Sequence, residues 1–152
     1  MSDVEPMKVA AALEKLNSAL ALQFRSALEH TVVAGSLTGV QWQPVGSLLK
    51  GWAGEELEDA RRMVEKVVAI GGEPTTDVAP FTRCQDPEDA LAQLIAHECE
   101  TLAAFHAVIP ETGQEPRSEA LEHRLEHLIM RKQEQVDALR RTLGWRDEET
   151  HS

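Results

Sequence analysis

Four segments with helical apolar periodicity are joined by two short connections and one long one. Few packings satisfy that pattern. The long connection, "GGEPTTDVAPFTRC" at residues 71–84, has no apolar period and contains two prolines. Such a stretch is unusually long for a compact domain unless it has to travel. Extended, its roughly 14 residues reach about 45 Å, enough to run the length of a helix of about 25 residues. The short connections pair the first helix with the second, and the third with the fourth, antiparallel. The long one lets the third helix run parallel to the second.

The segments read as follows. The first spans about Pro6 to about Leu37, with an apolar stripe of Val9, Leu13, Leu16, Leu20, Ala27 and Ala34, closed by Gly35 and Gly39. Pro44 suits the first turn of the second, whose stripe is Leu48, Leu49, Trp52, Met63, Val67 and Ile70. "DPED" at 86–89 starts the third: Asp86 caps, Pro87 fits the first turn, and Glu88 and Asp89 favour the positive end of the helix dipole. Its stripe is Leu91, Leu94, Ile95, Leu102, Phe105 and Ile109. After "PETGQEP", Ser118 is the expected cap of the fourth, which carries Leu121, Leu125, Leu128, Ile129, Val136, Leu139 and Leu143 and ends at Gly144. The expectation is an all-α, single-domain four-helix bundle over residues 1–152, with a long crossover between helices two and three.

Composition narrows the function classes. A chain of 152 residues with 42% hydrophobic residues can bury one substantial core. A net charge of −11 argues against nucleic acid and anionic membranes as partners. No apolar run approaches the roughly 20 residues of a membrane span. The opening "MSDVEPMKVAAALEKLN" is acidic where a secretory signal would be basic, so a cytoplasmic protein is expected. Cys84 and Cys99 need not be paired.

Six polar residues interrupt the stripes. Gln23 lies on the first, Glu56 and Asp59 on the second, Glu98 on the third, and Lys132 and Gln135 on the fourth. Each is near mid-helix, so all six are expected at one level of the bundle. A bundle of this connectivity with inward carboxylates is the ferritin-like arrangement, whose di-iron members place a Glu on each of two helices and a Glu-x-x-His on each of the others.

At these residues the chain resembles the bacterioferritin branch of the ferritin-like superfamily. "LNSALALQFRSALEH" is similar to the family's first helix, and "EELEDARRMVEKVVAIGGEP" to its second helix and the turn beyond. The spacings between Gln23, Glu56, Glu98 and Lys132 are also similar. Carried over position by position, the resemblance implies a degenerate di-iron centre. Gln23 stands for a glutamate, Glu56-x-x-Asp59 for Glu-x-x-His, and Lys132-x-x-Gln135 for the second Glu-x-x-His; Glu98 alone keeps its glutamate. The haem-ligating methionine corresponds to Leu57, so no haem is expected.

Three carboxylates and one ammonium leave a formal charge of −2 where two ferrous ions would bring +4. Three readings stay open. The six residues can form a buried hydrogen-bonded network without metal, the preferred reading. Glu56, Asp59 and Glu98, helped by a glutamine carbonyl, can hold one hard divalent cation through oxygen ligands, formally neutral once the Lys132 ammonium is counted. Or Lys132 can act as a base or Schiff-base nucleophile. The functional expectation is a bacterioferritin-like bundle without ferroxidase activity, in a structural, assembly or binding role. The alternative is a metal-binding ferritin-like protein handling iron or another divalent cation.

The remaining candidates are blander. His30 reads as a satisfied core residue, His123 and His127 as a solvated pair, His97 and Glu100 as surface or interface residues, and Cys99 as a small buried hydrophobe. Only "WRDEETHS" follows Gly144. That is too short and charged for the fifth helix a bacterioferritin would have, so a homodimer or small homo-oligomer is expected, associating through helices one and two.

Overall fold

A computed structural model describes residues 6–144. The expectations for the acidic opening at 1–5 and for "WRDEETHS" at 145–152 lie outside the described residues. Four long helices carry the fold: α1 (Val9–Ser36), α2 (Gln43–Ala69), α3 (Pro87–Val108) and α4 (Pro116–Thr142). Short 3₁₀ turns at Val40–Trp42 and Ile109–Glu111 lead into α2 and out of α3. Among the described residues there is no strand, and no helix is long and apolar enough to cross a membrane.

The connection between α2 and α3 travels back along α1. Asn17 Nδ2 donates to the Glu73 carbonyl at 3.0 Å, and its Oδ1 accepts from Thr75 N–H at 2.9 Å. Ala79 N–H donates to the Ala21 carbonyl at 3.1 Å. The chain thus reaches the far end of the bundle before α3 begins, and α3 runs parallel to α2. Helix α1 packs most extensively on α2, then on α3; α4 packs on α3 and touches α2 more lightly.

The termini of the helices follow local rules, with one correction. Asp86 caps α3 by accepting from Asp89 N–H at 3.0 Å, with Pro87 at the first position. Gly71 and Gly144 adopt φ of +88° and +74°, the left-handed region that glycine enters without steric cost. Ser118, however, does not cap α4. The cap is Glu115, and Ser118 sits three residues inside the helix, its hydroxyl accepting from Glu115 N–H at 3.2 Å. This is a capping box with the two side-chain types exchanged. Glu115 gains a second role, because its Oε2 also accepts from Met7 N–H at 2.9 Å, fastening the start of α1 to the start of α4.

Burial departs from the single stripes in two places. Leu48 is largely exposed. Helix α1 buries more than one stripe: beside Leu16 and Leu20, it hides Arg25, Ser26, Glu29 and His30. A helix contacted by α2, α3 and the crossover has little free circumference left.

The apolar core has two parts. One gathers Leu16, Leu20, Met63, Val67, Phe105, Leu121, Leu125 and Leu128. The other gathers Val33, Leu49, Leu91, Leu94, Ile95, Leu102, Val136 and Leu139. In α1, α2 and α4 the inward polar residues fall, in sequence, between the contributions to these two parts; in α3 Glu98 falls inside the second part's, between Ile95 and Leu102. A polar level therefore separates two apolar halves.

The crossover's attachment to Asn17 is testable. Asn17→Ala removes two hydrogen bonds from the strap and should lower unfolding free energy by about 1–2 kcal/mol. Urea denaturation measures this; an unchanged midpoint would mean the strap is held elsewhere.

Candidate functional site

Lys132 enters the middle of the bundle from α4 with its side chain 2% exposed. Its Nζ donates to Glu56 Oε2 and to Glu98 Oε2, each at 2.6 Å, and approaches Ser26 Oγ at 3.2 Å. Three donors on one ammonium thus meet three oxygens from α2, α3 and α1. Gln23 completes the set from α1: its Nε2 donates to the Glu56 carbonyl at 2.9 Å and to Glu56 Oε2 at 2.6 Å. Ser26 Oγ donates to the same carboxylate oxygen at 3.0 Å. One oxygen of Glu56 therefore accepts from Lys132, Gln23 and Ser26. The Phe105 ring lies 6.0 Å from Lys132 Nζ, adding a weak cation–π contact.

Charge explains why these groups stay ionised. Burial pushes the Glu56 carboxyl up, but Lys132, His30 and the hydrogen bonds from Lys132 and Gln23 outweigh it and hold it well below the usual carboxylate range. Burial likewise pushes the Lys132 ammonium down, and Glu98 and Glu56 more than reverse that. A group held as an ammonium has no lone pair, so the geometry speaks against Lys132 as a base or Schiff-base nucleophile.

The six inward residues do not all join one network. Gln23, Glu56, Glu98 and Lys132 are bonded together, and Ser26 joins them. Asp59 is buried but turned away, toward the guanidinium groups of Arg131 and Arg62. Gln135 is buried with its Oε1 unpartnered. Glu56 Oε1, Glu98 Oε1, Gln23 Oε1 and His30 Nε2 are also buried without a hydrogen-bond partner. His30 Nδ1 donates to the Ser26 carbonyl at 2.7 Å, so in the neutral ring Nε2 is an acceptor too. The level is rich in acceptors and poor in donors.

Ser26 and Arg131 are the functional residues that periodicity missed. Ser26 lies three residues after Gln23, within the same helical face, and Arg131 precedes Lys132 directly. His97 is half-buried, and its Nδ1 donates to the buried Glu29 carboxylate at 2.8 Å. Gln93 reaches the same carboxylate at 3.3 Å and the Thr82 carbonyl at 2.8 Å, joining α1, α3 and the crossover. Glu100 is exposed and pairs with Arg25 at 3.4 Å. Cys84 and Cys99 are free thiols, both part-exposed, and burial raises the pKa of Cys99.

The sequence family described as the ferritin-like domain matches residues 13–145, and the chain belongs to it. No curated protein sequence matches. Solved structures share the fold. A ferritin-like, diiron-carboxylate protein from Bacillus anthracis superposes with a TM-score of 0.84 at 22% identity, covering 94% of this chain and 99% of that one. The bacterioferritin-related protein of Bacteroides fragilis, described as a dodecameric thioferritin, gives 0.80 at 17%, covering 90% and 86%. The bacterioferritin of Rhodobacter capsulatus gives 0.73 at 18%, covering 86% and 81%.

The residues at the polar level do not fit a di-iron centre. Its carboxylates Glu56 and Glu98 are both engaged by an ammonium at 2.6 Å, and a guanidinium engages Asp59. Among the described residues, no three His, Cys, Asp or Glu side chains gather as a metal-holding group.

Lys132→Met tests this geometry. Removing one partner of a buried pair costs roughly 3–5 kcal/mol. The Glu56 shift is downward, so its contribution is present above pH 4.5 and is lost only in stronger acid. The Lys132 shift is upward, so its contribution is complete below pH 10.5 and lost in stronger base. The variant's deficit should therefore be large at neutral pH and shrink in mild acid, where a stranded carboxyl can take a proton. Adding Glu98→Gln should recover part of the loss. Denaturant unfolding at two pH values reads both; a variant as stable as wild type throughout would place the ammonium in solvent.

Proposed function

We propose that this chain is a bacterioferritin-like bundle without ferroxidase chemistry, acting as a structural, assembly or binding subunit. The observation that carries this reading is the Lys132 ammonium 2.6 Å from both Glu56 and Glu98. A divalent ion there would face a fixed positive charge. The chain should oxidise ferrous iron no faster than buffer. Rapid, saturable oxidation consuming about two irons per chain, the stoichiometry of a di-iron site, overturns the reading.

One observation favours a second reading, a single divalent cation held by Glu56, Asp59 and Glu98. Glu56 and Glu98 each keep one buried oxygen without a partner, and hard cations take oxygen ligands. Metal content of protein purified without chelator separates the two: a stoichiometric divalent ion supports the second, its absence the first.

The relatives' names speak of a dodecamer and of bacterioferritins. For this chain a homodimer or small oligomer is proposed, through the sides of α1 and α2. Leu28 on α1 and Leu57 and Val68 on α2 are exposed apolar residues. A groove of about 570 Å³ lined by Thr31, Ala34, Trp42 and Gly46 lies between the same two helices. Light scattering should report a small assembly; the mass of a large hollow shell would refute it. Leu57 is 60% exposed and has no ligand atom, consistent with a protein without haem.

A further inference from the structure

Arg131 lies in the cleft between α2 and α4, which also contains Gly51, Gly54, Glu55, Glu58, Asp59 and Arg62 and measures about 480 Å³. Neither Gly51 nor Gly54 has an atom near where a Cβ would stand, so the cleft is open on the α2 side. Three carboxylates of α2 face this one guanidinium. Nη1 reaches Glu55 at 3.0 Å, Nη2 meets the buried Asp59 carboxylate, and Nη2 stands 3.9 Å from Glu56 Oε1. Glu56 Oε1 is buried and has no hydrogen-bond partner. The two oxygens of Glu56 are thus divided: Oε2 belongs to Lys132 and Oε1 turns toward Arg131.

We propose that Arg131 is a second tethered cation, filling a cation site formed by Asp59, Glu56 and Glu55 at the inner end of this cleft. Arg131 and Lys132, consecutive on α4, then supply from within the chain the two positive charges that the carboxylates of α2 and α3 require. Lys132 serves Glu56 and Glu98; Arg131 serves Glu56 and Asp59. The planar fork of a guanidinium suits the second place, because it spans two carboxylates where an ammonium offers a point charge. The side chain is 24% exposed against 2% for Lys132, so it closes the cleft from the solvent side. With Arg131 in place these three carboxylates do not gather as a metal-holding group; removing it should let them close on an exogenous divalent cation. The inference rests on the reading that the wild-type core needs no metal.

The test is urea unfolding of wild type, Arg131→Met, Asp59→Asn and the double variant in EDTA, followed by the same series in manganous ion. Arg131→Met should lower the folding constant at least tenfold. In the Asp59→Asn background the same change should cost far less, because no carboxylate is stranded. Equal losses in both backgrounds overturn the proposal. Arg62 reaches the same carboxylate at 3.3 Å from a more exposed position, so Arg62→Met should cost less than Arg131→Met; an equal or larger cost also overturns it. Manganous ion should raise the stability of Arg131→Met, and no rise removes the cation site. Should Arg131→Met not fold, Arg131→Lys, which keeps the charge, must fold; its failure too would mean that charge is not what Arg131 provides. A wild type that itself gains stability from manganous ion leaves this cycle intact and overturns the metal-independent reading instead.

Discussion

Everything at the centre of this bundle depends on one ammonium group shared by two carboxylates. Bringing Lys132, Glu56 and Glu98 out of water costs several kcal/mol per ion, and only close geometry with further hydrogen bonds offsets it. Two contacts at 2.6 Å supply the closeness. Gln23 and Ser26 supply the further bonds. Because the three ions come from three helices, the arrangement exists only when α2, α3 and α4 are all docked. The charged level therefore holds α2, α3 and α4 in one register.

The connectivity could be read from the chain because loop length and apolar period are local properties. The long aperiodic stretch after Gly72 requires a crossover, and "DPED" marks where it ends. The inward direction of Gln23, Glu56, Glu98 and Lys132 could be read for the same reason, since each lies in phase with neighbouring leucines. What could not be read is where a long side chain ends. Arg131 is out of phase with the stripe, yet its guanidinium returns to the buried Asp59 from the edge of the helix, as long basic side chains do. Asp59 is in phase, yet its carboxylate leaves the central network to meet that guanidinium. Glu29 and His97 were hidden by a different limit: α1 is surrounded on several sides, and a single-stripe reading assumes one buried face. Glu115 is not legible as a cap because a carboxylate cap with a serine inside inverts the expected order of residue types.

Relatives of 17–22% identity share this backbone, and their names span diiron-carboxylate proteins and bacterioferritins. The scaffold fixes positions on four helices, not the chemistry placed on them. Among the inward positions, this chain carries the amides Gln23 and Gln135 and the cation Lys132 beside its carboxylates.

Placing the two cations side by side also decides how α4 is rotated. Successive helical residues point about 100° apart, so Lys132 faces the axis while Arg131 faces the cleft beside α2. Turn α4 by one position and Gln133, which cannot carry charge, takes the axis, while Lys132 moves to the cleft. Glu56 and Glu98 would then share no cation at all. The same turn would replace Leu121, Leu125, Val136 and Leu139 in the core with Glu122, Glu126, Asp137 and Arg140, so the apolar stripe and the charged pair demand one angle. The Arg-Lys pair acts as a keyed fitting: α4 docks lightly on α2, yet in only one orientation.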